Sequence, residues 1–109
     1  MNVRLYLWQR LTAAALAPLV LVHVAVIFYA TRQGLTAGDI LSRTRGSIVW
    51  ASYYAIFVAA VSVHASIGLR NILTEWSPLT DRRAGYLAIA IGLLLALLGL
   101  RAVAAVVLP

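Results

Sequence analysis

SIVWASYYAIFVAAVSVHASIGL, residues 47–69, runs for twenty-three residues without an Asp, Glu, Lys or Arg. A membrane-spanning helix needs roughly 20 consecutive, predominantly apolar residues. The run lacks the period-two alternation of a barrel strand, and lipid offers the backbone no other partner, so a helix is the expected form. Working outward, residues 11–30 form a second uncharged run. Residues 84–100 form a third, which continues past Arg101 to Pro109. The fold class expected is an all-α membrane protein. Its three transmembrane helices lie at about 5–30, 47–73 and 83–107, within a single transmembrane domain over residues 1–109.

Composition agrees. Of 109 residues, 63% are hydrophobic and 11% charged, against about 25% charged in an average soluble domain. Mean hydropathy is +0.95. A soluble chain of this length could not hide that much apolar surface. The first run has the loose look of a secretory signal, but Arg10 interrupts it. The uncharged run after Arg10 also exceeds an h-region of about 7–15 residues, so a retained first span is expected.

The charges mark the ends of these runs. All nine cations are arginine, against three acids, Asp39, Glu75 and Asp81, for a net charge of +6. The arginines flank apolar runs instead of forming one patch, which argues against a nucleic-acid partner. Snorkelling at the interface explains most of them. Three spans put Arg4, Arg10, Arg70, Arg82 and Arg83 on one side and Arg32, Arg43 and Arg45 on the other. That bias favours a cytoplasmic N-terminus, in a bacterial inner membrane. With no cysteine, the chain cannot hold an iron–sulfur cluster by thiolates, form a disulfide or use a thiol nucleophile.

Inside the first run, Pro18 removes a donor to the Ala14 carbonyl, and a kink is expected there. Ala13, Ala14, Ala15 and Ala17 precede it, small enough to admit another helix or a flat ligand. Gly92, Ala96 and Gly99 in the third run are expected to serve helix packing. Thr80 and Asp81 form a helix start signal.

The two histidines, His23 and His64, both fall within spans, where ionisable residues are costly and suggest function by default. A neutral imidazole bonded to a neighbouring helix is one reading. A metal or haem ligand is the other. Depth separates the pair. Counted at 1.5 Å per residue, His23 lies roughly 27 Å and His64 roughly 13 Å from the N-terminal side, a gap on the order of 14 Å. Two axial ligands of one iron lie only about 4 Å apart. The two histidines therefore cannot share one haem, but each could serve one of two haems stacked across the membrane. The second ligands would come from another chain or a second copy. Around His64, Ala60 and Gly68 share a stripe at i−4 and i+4 and leave room for a porphyrin. Leu19 and Ile27 would wall His23. Arg70 and Arg10 sit at helix ends where either could pair with a propionate or a quinone carbonyl. Tyr6, Trp8, Gln9 and Thr12 surround Arg10, and supply donors at the depth a quinone headgroup needs. An aromatic belt accounts equally well for Tyr6 and Trp8.

The segment HASIGLRNILTEW, residues 64–76, resembles the second-helix motif of the cytochrome b membrane anchors of succinate dehydrogenase and fumarate reductase, roughly H-x3-G-[IL]-R-H-x3-D. The resemblance implies that His64 is an axial haem b ligand, Gly68 a close-packed position and Arg70 the basic position. Asn71 stands where the motif has a second histidine, and Glu75 where it has an aspartate. In the first run, Gln9-Arg10-Leu11-Thr12 resembles the His-Arg-x-Ser-Gly element near the quinone site of single-haem anchors, implying quinone- or propionate-side roles for Arg10 and Thr12. Tyr6 stands where those anchors often carry a quinone-contacting serine. Trp8-Gln9, followed by Thr12 and His23, is similar to the first helix of di-haem fumarate reductase anchors, whose histidine ligates the distal haem. Those anchors have five helices and four histidines, and this chain resembles their N-terminal part.

The resemblance implies a haem-binding helical bundle with His64 (proximal) and His23 (distal) on haem iron, and Gly68, Arg70 and Arg10 lining the cofactors. Arg10, Thr12, Gln9, Trp8 and Tyr6 would face quinone. Its partners would be a flavoprotein, an iron–sulfur subunit and a second anchor chain or second copy. Dicarboxylate chemistry would belong to the flavoprotein, so this chain would be a non-catalytic subunit. Two other classes stay open: a cytochrome b subunit of another quinone-linked oxidoreductase, and a non-redox scaffold or small transporter.

Overall fold

The computed structural model describes residues 2–109. The chain forms α1 (Val3–Gln33), α2 (Ala37–Thr44), α3 (Ile48–Trp76) and α4 (Asp81–Val107), with no strand among the described residues. α1, α3 and α4 are each long and apolar enough to cross a membrane. Each helix begins at a polar cap whose side chain accepts from a backbone N–H three residues on: Asn2, Thr36, Ser47 and Thr80. Such caps satisfy one of the four N–H groups a helix start leaves open. α1 runs unbroken through Pro18.

α2 occupies the connection that composition marks only as polar. Thr36 and Asp39 close its first turn reciprocally: the Asp39 N–H donates to Thr36 Oγ1 at 3.1 Å, and that hydroxyl donates to the Asp39 carboxylate at 2.5 Å. The chain enters and leaves through glycines at positive φ, Gly34 (147°) and Gly46 (74°), a region most side chains avoid. At Gly34 an added Cβ would fall 2.5 Å from the Asp39 carboxylate. The far end of α2 is fastened to α4: Thr44 Oγ1 donates to the Val106 carbonyl and the Gly46 N–H to the Val107 carbonyl, both at 2.6 Å. These bonds occupy carbonyls that the last turn of α4 leaves without intrahelical partners.

α3 is the centre, packed on α4 along one side and α1 along another. The α3–α4 contact is built on small residues. Ala84 and Ala88 are buried. A Cβ on Gly92 would fall 3.0 Å from Ser66 Cβ, and one on Gly99 would fall 2.6 Å from a Val58 methyl. Ser66 Oγ donates to the Ala88 carbonyl at 2.9 Å. In lipid, where apolar side chains gain nothing by leaving the solvent, such close packing and interhelical bonds carry association.

α1 meets α3 along a narrow seam. From Asn2 to Ala30, its only residues that are not exposed are Leu5, Gln9, Thr12, Leu16, Leu19, His23, Val26 and Ala30. They alternate four and three apart, the spacing of a left-handed helix pair. Ile27, expected as part of the wall beside His23, is exposed, whereas Leu19 lies on the seam. Ala13, Ala14, Ala15 and Ala17 face outward. The three long helices form an open array in which α1 and α4 flank α3, and large apolar side chains are exposed along its length.

Candidate functional site

The seam of α1 carries both histidine neighbourhoods, at two levels. At the first, on the side of the chain's N-terminus, Thr12 is buried against α3. Its Oγ1 lies 2.7 Å from the Trp8 carbonyl and 3.1 Å from the Gln9 carbonyl, one turn back on α1. The same oxygen lies 3.1 Å from His64 Nδ1 on α3. A hydroxyl has one proton and two lone pairs. With its proton directed at the Trp8 carbonyl, Thr12 accepts from the Nδ1–H of His64. The imidazole then carries its proton on Nδ1 and a bare lone pair on Nε2. The one hydrogen bond found for this ring among the described residues is at Nδ1. An imidazole held through one nitrogen with the other open is the arrangement that metal-ligating histidines adopt.

Gln9 fills the next turn. Its amide nitrogen lies 3.5 Å from where a Gly68 Cβ would sit, and its Oε1 is buried without a partner. Gly68 therefore faces the Gln9 side chain, at a distance that would still admit a Cβ in ordinary contact. Arg70 lies half-buried near the turn into α4, its Nε 3.7 Å from where a Gly85 Cβ would sit. It shares a polar cleft of about 330 Å³ with Asn2, Thr74, Glu75 and Asp81. This cleft puts the N-terminus beside the α3–α4 turn, while α2 lies at the other end with the C-terminus of α4. Tyr6, Trp8 and Arg10 lie on the exposed side of α1, with the Arg10 guanidinium 5.7 Å from the centre of the Tyr6 ring. The five residues expected around a quinone are thus divided. Thr12 and Gln9 face α3, and the other three face outward.

At the second level, His23 meets two aromatic rings of α3 edge-on: Tyr54 at 5.8 Å and Phe57 at 5.4 Å between centroids. Trp50 stacks on Tyr54, and Tyr53 packs edge-on against both. The Tyr53 hydroxyl donates to the Leu19 carbonyl, one turn before His23, and fastens α1 to α3 there. His23 Nδ1 is buried with no partner. Its ring borders a groove of about 650 Å³ bounded by α1, α2 and the start of α3, with Arg43 and Thr44 at the α2 side. It also borders a groove of about 430 Å³ that reaches Leu95 and Gly99 on α4. Nothing in the sequence pattern singles out the aromatic cluster or Arg43.

The contacts set the spacing of the two levels. Eleven residues separate Thr12 from His23 on α1, and ten separate Tyr54 from His64 on α3. At 1.5 Å per residue the imidazoles are about 15–17 Å apart along the bundle. Among the described residues no group of three or more His, Cys, Asp or Glu side chains converges.

Three long apolar spans, with one imidazole bonded to a buried hydroxyl and a second at another depth, define a small helical membrane-spanning protein. The family model for the succinate dehydrogenase/fumarate reductase transmembrane subunit matches residues 2–99. The chain belongs to that family, and it is an integral membrane protein. No curated protein and no solved structure matches it.

Proposed function

We propose that this chain is a haem b-binding anchor that holds a flavoprotein and an iron–sulfur subunit at the membrane and lets electrons pass between their clusters and quinone. His64 is the ligand on the proximal side, and the observation that carries the reading is its bond to Thr12, which leaves Nε2 free. The haem supplies one-electron chemistry between cluster and quinone. The chain's own residues do the rest. Thr12 holds the His64 ring, and Gln9 packs beside Gly68 at that level. Arg70 offers its guanidinium to a propionate or a docking subunit at the same end. Gln9, with its unpartnered Oε1, and Arg10, Trp8 and Tyr6 outside it are the quinone-side candidates. The N-terminus faces the cytoplasm of a bacterial cell.

His23 is the candidate for a second haem. A buried ring nitrogen without a partner is uncommon and calls for one, and the adjoining grooves give it room. The missing axial ligands come from another anchor chain or a second copy, since this chain has one imidazole per level. A second reading has its own support: the edge-on contacts with Tyr54 and Phe57 suit a packing histidine, which would leave one haem per chain.

Reduced-minus-oxidised spectra of the complex extracted from membranes test the proposal, together with succinate–quinone activity. A b-type spectrum with activity is expected. A b-type spectrum without succinate or fumarate activity would point to another quinone-linked oxidoreductase, and no b-type signal would remove the haem reading altogether.

A further inference from the structure

Thr12 has a buried hydroxyl whose proton and one lone pair both find partners within the chain. It sits at 7% exposure, bonded to the Trp8 carbonyl at 2.7 Å and to His64 Nδ1 at 3.1 Å. Both its proton and the lone pair facing α3 are thereby used within the chain. A quinone could draw on that hydroxyl only by breaking one of these bonds in a buried place. Gln9, one turn away, has the opposite status: its Oε1 is buried and unused.

We propose that Thr12 is a positioning residue for the haem ligand: by accepting from Nδ1–H it fixes the His64 tautomer and raises the electron-donating strength of Nε2, lowering the midpoint potential of the haem held there. The inference rests on His64 being that ligand. The physical chain is short. A hydrogen bond accepted from the far ring nitrogen makes an imidazole more basic, and such partners tune both affinity and potential. A threonine hydroxyl is a modest acceptor. However, donation of its own proton to the Trp8 carbonyl polarises it and strengthens the bond it accepts. A more basic axial imidazole favours ferric over ferrous iron. Withdrawing the acceptor therefore shifts the balance towards the reduced state.

The test compares Thr12→Val and Thr12→Ser by redox titration of haem in the purified complex, with the electron paramagnetic resonance of the ferric haem as a second readout. Valine keeps the shape of threonine and removes the hydroxyl, while serine keeps the hydroxyl and loses a methyl. The expected result is a wild-type potential in Thr12→Ser. In Thr12→Val the oxidised-to-reduced equilibrium should shift about tenfold towards the reduced form, about 59 mV upward for a one-electron couple, with a changed ferric spectrum. A purely structural role predicts the reverse order, with valine closer to wild type than serine, and that order overturns the proposal. So does an unchanged potential in Thr12→Val at normal haem content. If Thr12→Val loses haem altogether, Thr12→Ser decides. Haem retained at the wild-type potential supports the role, and haem lost as in valine contradicts it. A wild-type complex without haem would fail at the level of the proposed function, and would be seen before either variant is read.

Discussion

The two histidine levels are built on the same seam of α1, yet they differ in what this chain provides. At His64 the chain supplies a complete support: a buried hydroxyl takes one ring nitrogen and the other is open. At His23 the chain supplies an aromatic cage and grooves, but no partner for the buried Nδ1 among the described residues. A ligand is only as well placed as the groups that orient it. The difference teaches that the two imidazoles are not equivalent copies of one device. His64 is prepared within this chain, and His23 depends on whatever covers the open side of the array.

The comparison breaks or sharpens under mutation. The largest effect is expected from His64→Ala, which should abolish the proximal b-type signal and, with it, electron transfer to quinone. A signal retained in full would end the assignment. His23→Ala should remove a separate signal and leave the proximal one intact. Loss of one and the same haem in both variants would contradict the separation of about 15–17 Å inferred from the helix register. An unchanged spectrum in His23→Ala would make His23 a packing residue. Next comes Gly99→Ala. Its Cβ would meet a Val58 methyl at 2.6 Å, an overpacking that costs about 1–3 kcal/mol. Because Gly99 lines the His23-level groove, the thermal midpoint of the complex should fall, and any spectral change should be confined to the signal that depends on His23. The smallest effect is expected from Tyr53→Phe, which deletes the bond to the Leu19 carbonyl. Interhelical bonds in membranes average about 0.6 kcal/mol, so a small fall in resistance to detergent unfolding should appear, with the His64 signal untouched.

Much of the architecture is open to sequence reasoning, because lipid imposes a length and a composition that no other solvent does. The three apolar runs, the cap at Thr80 and the separate depths of His23 and His64 all come from counting. Packing by Gly92 and Gly99 is also legible, since small residues have few other uses in a lipid-facing helix. α2 is not, although Thr36 and Asp39 carry a capping signal, because eight residues among arginines and glycines look like a loop. The seam of α1 is hidden for a physical reason. A helix that is apolar all round shows no contrast between its faces, and only Gln9, Thr12 and His23 mark which side meets α3. The bond from His64 to Thr12 joins residues 52 positions apart and depends on the vertical register of two helices, which spacing along one helix does not define. For the same reason proximity in sequence groups Thr12 with Arg10 and Tyr6, although the helix turns it to the opposite side.

The central claim is that His64 is prepared by this chain to hold haem. The direct measurement is the reduced-minus-oxidised spectrum of the membrane complex carrying His64→Ala, beside wild type and His23→Ala prepared in parallel. The account predicts that the proximal b-type signal disappears in His64→Ala and persists in His23→Ala. A full wild-type signal in assembled His64→Ala complex would contradict it.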